Sequence, residues 1–123
     1  MKFLLDTNFL MIPGKFKIDI FRELKDFGKV YLYTLDSVVH ELEKLSKGRG
    51  RDSRNARLAI HMIKKEGVRI LHVEAKNTDE GIKKLAEKGY FTVCTADKEL
   101  IKSLKGMGAR IIYLRQGKYL VRD

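Results

Sequence analysis

Lys2-Phe3-Leu4-Leu5-Asp6-Thr7-Asn8 opens the chain, and its reading decides the fold. An apolar run of strand length stops at an acid, which two short polar residues follow. That is the pattern of a strand covered on both faces whose carboxyl end meets a turn. The same punctuation recurs downstream. Lys29 to Thr34 reads as a second strand, and the helix after it buries Val38, Val39, Leu42 and Leu45, with Glu41 about one turn in. Val68 to Val73 reads as a third strand. The next helix carries Ile82, Leu85 and Ala86, with Thr78 as its N-cap and Asp79 and Glu80 in its positive first turn. Phe91 to Thr95 is a fourth strand, and Asp97 precedes a helix built on Leu100, Ile101 and Leu104.

The remaining segments fit the same alternation. Pro13-Gly14 reads as a turn, before a helix with Ile18, Phe21, Leu24 and Phe27 that Gly28 stops. Lys47 to Asp52 is a basic, glycine-broken loop, and Ser53 is placed to cap a helix running to about Glu66. Arg110 to Leu114 makes a fifth strand, and Tyr119 to Val121 adds an edge strand. Strands alternating with helices predict an α/β fold: a three-layer α/β/α sandwich around a parallel sheet of about five strands. No linker or repeat divides the chain, so residues 1–123 are read as one domain.

The net charge of +10 and a pI of about 9.8 favour a polyanionic partner, nucleic acid above all, through counterion release and steering. The lone Cys94 lies in an apolar, β-prone stretch and reads as a packed thiol, which suits a reducing cytoplasm. The apolar run at the N-terminus is too short for a signal-peptide core, and no segment is expected to span a membrane.

In open α/β sheets the carboxyl ends of the strands form the binding crevice, so Asp6, Glu41, Asp79 and Asp97 are expected to converge there. Each alone has a local explanation as a turn, dipole or surface residue. Together they repel one another unless a proton or cation neutralises them. Carboxylates and small polar neighbours suit a hard cation, Mg²⁺ or Mn²⁺, better than zinc. Thr7, Asn8 and Thr95 are placed to orient such ligands or their waters. Glu43 and Glu99 lie two residues from Glu41 and Asp97 and face elsewhere. His40, His61 and His72 are read as packing or surface residues. Lys47, Arg49, Arg51 and Arg54 are candidates to grip a phosphodiester backbone, against the plainer reading of a solvated loop.

The chain resembles the PIN-domain nucleases in Leu5-Asp6-Thr7-Asn8, Val38-Val39-His40-Glu41-Leu42-Glu43, Asp79 with Ile82, and Thr95-Ala96-Asp97. It is most similar to the branch acting on ribosomal RNA precursors, through Leu35-Asp36-Ser37, Glu41-Leu42-Glu43-Lys44-Leu45, Asp97-Lys98-Glu99-Leu100 and Ile111-Ile112-Tyr113-Leu114. The resemblance implies Mg²⁺- or Mn²⁺-dependent endoribonuclease activity leaving 5′-phosphate and 3′-hydroxyl ends, with Asp6, Glu41, Asp79 and Asp97 as the acidic tetrad. It also implies that members often form homodimers and that toxins of toxin-antitoxin pairs share the site. The processing branch often has two adjacent aspartates where this chain has Asp79-Glu80. A phosphatase of the haloacid-dehalogenase type is disfavoured because Asn8 stands where it needs an acid. The alternative from another class is a non-catalytic RNA-binding scaffold in ribosome assembly.

Overall fold

The opening apolar run forms β1 (Lys2–Leu5), in which Phe3, Leu4 and Leu5 are fully buried. Successive strand side chains point to opposite faces, so burial of all three requires cover on both sides of the sheet. In the computed structural model, which describes residues 1–123, the other strands are β2 (Tyr31–Leu35), β3 (Arg69–Leu71), β4 (Phe91–Cys94), β5 (Ile111–Arg115) and β6 (Tyr119–Arg122). They form one sheet in the order β3-β2-β1-β4-β5-β6. The first five strands are parallel, and β6 is antiparallel to β5.

Seven helices connect and cover the strands: α1 (Thr7–Leu10), α2 (Ile12–Phe16), α3 (Ile20–Lys25), α4 (Asp36–Ser46), α5 (Arg51–Lys65), α6 (Thr78–Glu87) and α7 (Lys98–Gly106). The chain steps outward from β1 to β2 and β3, then crosses back to β4 and steps outward the other way to β5. Right-handed crossovers therefore put α1 to α5 on one face and α6 and α7 on the other. The result is the expected α/β/α sandwich. Its direction reverses between β1 and β4, and the two strands are locked there by the Asp6 amide donating to Cys94 O at 3.1 Å. Cys94 is buried, as its sequence context implied, and burial holds its thiol pKa well above the ordinary value.

Four local expectations need correction. Pro13-Gly14 is not a turn but lies within α2, where Pro occupies the first turn and costs no hydrogen bond. Gly14 is there for close approach: a Cβ on it would fall 2.3 Å from Asn55 Oδ1 on α5. Helix α5 starts earlier than Ser53, from Gly50 with φ +101°, and Ser53 is buried inside it. Asn77, not Thr78, caps α6, its side chain accepting from Glu80 N at 2.9 Å. The third strand is also shorter than expected, ending at Leu71.

Candidate active site

Asp6 follows the last residue of β1 and caps α1, its Oδ1 accepting from the Phe9 amide at 2.8 Å. This bond holds the carboxylate over the end of the sheet. Its Oδ2 accepts from Thr95 Oγ1, just past β4. Thr95 in turn accepts from the Asp97 amide at 3.0 Å, while Asp97 caps α7 through Oδ1 to the amides of Glu99 and Leu100. Asp6 and Asp97 thus flank the point where the strand order reverses, the position at which open α/β sheets bind ligands.

Glu41 reaches the same end from α4. Its Oε1 accepts from Thr78 Oγ1 at 2.5 Å and from Thr7 Oγ1 at 3.3 Å. Thr78 Oγ1 also lies 3.0 Å from Ser37 Oγ, which ties the start of α6 to the start of α4. Asp79 stands beside Thr78 in the first turn of α6 and is exposed. Asn8 is exposed and Thr7 half-buried, so of the two only Thr7 is bonded to an acid.

The electrostatics record how close these groups are. Burial pushes the Asp6 pKa up from 3.8 to about 7; Thr95 and the Phe9 amide oppose that rise, and Asp97 and Asp79 reinforce it. Burial also raises Asp79, as do Asp97, Glu41 and Glu80, while Lys83 pulls it down. The donors are all oxygens, the set a hard cation takes. As placed, Asp6, Glu41 and Asp97 are each bonded to their own neighbours, and no three acidic, histidine or cysteine side chains are gathered into a metal-holding cluster. Glu80 lines the same cleft as Glu41 and Asp79, with its carboxylate 4.0 Å from Lys83 Nζ.

Lys47, Arg49, Arg51 and Arg54 are all exposed and lie at the tip of the α4–α5 hairpin and the start of α5. Arg57 ties down that tip by donating to Ser46 O at 2.7 Å. None of the four basic residues lines the cleft that holds Glu41 and Asp79. His61 is exposed on α5 and His40 exposed on α4.

A family model described as PIN like domain matches residues 3–117. The chain belongs to the PIN-like domain family. It is 33% identical over 114 residues to Ribonuclease VapC9 of Archaeoglobus fulgidus, covering 92% of this chain and 82% of that protein. The structure of the PIN domain endonuclease Utp24 superposes with a TM-score of 0.81 at 26% identity, over 99% of this chain and 90% of that one. A domain of a functionally unknown protein from Methanocaldococcus jannaschii matches the fold alone, with a TM-score of 0.63 at 18% identity, over 98% and 95% of the two chains.

Two features of this family member escaped the sequence reading. Thr78, read as a helix cap, instead donates to Glu41 Oε1, and its hydroxyl also lies beside Ser37 Oγ. His72, read as a packing or surface residue, is exposed and bonded on both nitrogens, to Asp36 Oδ2 at 2.5 Å and Glu74 Oε1 at 3.1 Å. Two carboxylate acceptors favour two N–H donors, and the bonds to Asp36 and Glu74 raise the His72 pKa above its ordinary value. Alternation of His72 and Glu74 two residues apart was the available signal.

Proposed function

We propose that this protein is a Mg²⁺- or Mn²⁺-dependent endoribonuclease that hydrolyses RNA to 5′-phosphate and 3′-hydroxyl ends. The observation that carries this reading is Asp6: a carboxylate at the sheet's reversal point whose burial, reinforced by smaller repulsions from Asp97 and Asp79, raises its pKa to about 7. A buried acid under that pressure is relieved by a proton or by a cation. Membership of the PIN-like domain family supports nuclease chemistry. So do a relative named as a ribonuclease and a structural neighbour titled an endonuclease.

Asp6, Glu41, Asp79 and Asp97 would hold the ion. When bound, it supplies charge neutralisation at the phosphate, a water of lowered pKa and stabilisation of the departing oxygen. The rest is the work of the chain. Thr95 orients Asp6 and receives the Asp97 amide, so one hydroxyl sets both acids. Thr7 and Thr78 hold Oε1 of Glu41, leaving Oε2 open. Lys83 offsets the repulsion on Asp79.

The motif resemblance from Leu35 through Leu114 supports ribosomal RNA precursors as the substrate. The toxin reading draws on the likeness to Ribonuclease VapC9. The scaffold reading draws on the absence of a gathered three-ligand cluster. The deciding experiment incubates end-labelled RNA with purified protein and Mn²⁺, and identifies the ends formed. Cutting that stops in Asp6→Asn and Asp97→Asn, with RNA affinity kept, supports the endonuclease. Wild-type protein that binds RNA and leaves it whole favours the scaffold.

A further inference from the structure

A cleft of about 670 Å³ opens beside the acids, between α4 and the segment running from Val73 into α6. Glu41 and Asp79 form part of its wall, and Lys44, Lys76 and Lys83 line it with three ammonium groups. Lys44 follows Glu41 by three residues on α4, and Lys83 follows Asp79 by four on α6. On both walls, then, a lysine shares a helix face with an acid and stands one turn farther along. Lys83 faces two acids, Asp79 through space and Glu80 at 4.0 Å. Lys44 and Lys76 are exposed and engaged in no ion pair.

From these placements we infer that the cleft seats the RNA strand on one side of the cut, with Lys44, Lys76 and Lys83 on the adjoining phosphates. The inference rests on the endoribonuclease reading above and assigns its substrate path. The volume lies within the roughly 300–1,000 Å³ of small-ligand pockets. Such a space suits a segment of single strand. The carboxylates repel a phosphate and the lysines attract one, so the strand is held where the ammonium groups stand, one helical turn from Glu41 and Asp79. None of the hairpin-tip cations lines this cleft. Lys47 stands six residues past Glu41, roughly 9 Å along the helix axis, and serves at most a longer reach of the strand.

The test compares two triple variants with the same loss of charge. One carries Lys44→Ala, Lys76→Ala and Lys83→Ala; the other carries Lys47→Ala, Arg49→Ala and Arg51→Ala. Both are made in an Asp6→Asn background, so that anisotropy of a labelled single-stranded RNA with Mn²⁺ reads binding without cutting. The cleft triple is expected to lose affinity roughly tenfold or more, with its logarithmic salt slope reduced by about 2, given about 0.7 per single-strand phosphate contact. It should also stop distinguishing the full RNA from one shortened by two nucleotides on the cleft side. The tip triple should lose less and keep that distinction. Equal losses in the two triples, or cleft-triple affinity unchanged, overturn the inference. The latter is also the result if the lysines only neutralise acids. Should the triple fail to fold, Lys44→Gln and Lys76→Gln singly replace it, each expected to reduce the slope by about 0.7. Cutting by the wild type, together with unaltered binding by the cleft triple in the Asp6→Asn background, removes this inference alone. No cutting of any RNA by the wild type removes the endonuclease reading, and the anisotropy comparison still decides whether the cleft binds RNA.

Discussion

Thr95 Oγ1 donates a hydrogen bond to Asp6 Oδ2, joining the ends of two neighbouring strands across 89 positions of sequence. The same oxygen receives the Asp97 amide at 3.0 Å, so both acids at the reversal point depend on one buried hydroxyl. Thr95→Val keeps the shape and removes the donor and acceptor. We expect it to lose about 1–3 kcal/mol of stability, the usual consequence of leaving a buried polar group unpaired. Because the Thr95 bond pulls the Asp6 pKa down, its loss should also move the acidic limb of the pH–rate profile upward. Thr95→Ser should restore both. Thermal melts and cleavage rates across pH check this, and a Val variant with an unmoved profile would refute it.

Asp6 makes stability depend on pH in an uncommon direction. Its folded pKa of about 7 lies above the ordinary 3.8, so between those values the folded protein holds a proton that the unfolded chain has released. Stability therefore falls as pH rises through this window and stays lower above it. At 1.36 kcal/mol per pH unit the ceiling is on the order of 4 kcal/mol. Asp6→Asn removes the titration. In chelator it should melt higher than wild type near pH 8 and show a flatter pH dependence, while failing to cut RNA. An Asn variant that melts lower at that pH contradicts the assignment.

Divalent cation should reverse that penalty. Mn²⁺ in chelator-free buffer is expected to raise the melting temperature more near pH 8 than near pH 5, since at the lower pH protons compete for Asp6. At a hundredfold excess over its dissociation constant an ion adds about 2.7 kcal/mol. Glu41→Gln and Asp79→Asn should each shrink the effect. Melting curves that ignore Mn²⁺ at both pH values would remove the metal from the proposal, and chelator should abolish cutting by the wild type.

His72 should titrate above its ordinary 6.5, raised first by its bond to Asp36 and then by its bond to Glu74. Asp36 is correspondingly lowered by His72. The histidine's contribution is complete below pH 6.5 and fades as pH rises through the folded pKa, and that of Asp36 fades as pH falls through its own lowered value. Nuclear magnetic resonance of the imidazole protons checks it. Asp36→Asn should return His72 toward 6.5, and a His72 already at 6.5 in the wild type would rule the clasp out.

The alternation of β-runs with helical stripes was legible because each reports a local period. Phe3-Leu4-Leu5 can be buried on both faces only in a covered parallel sheet, and Gly28, Gly67 and Gly89 mark where helical patterns stop. The acids at strand ends were legible for the same reason, since a strand's carboxyl end is a position along the chain. Helices α1 and α2 were not legible: a capping Asp6 and a Pro in the first turn of α2 support them, but so few residues show no periodicity. The cap of α6 went to Asn77 because Thr78 was already engaged by Glu41 and Ser37.

Residue order therefore determined the layers and nominated the acids, whereas strand order and partnership came from the folded chain. That β1 lies between β2 and β4, that Thr95 serves Asp6, and that Lys44 and Lys83 share a cleft while Lys47 does not are facts about segments far apart along the backbone. Such contacts form when long loops close to bury apolar surface, and nothing in the local pattern of either segment encodes which partner the other will be.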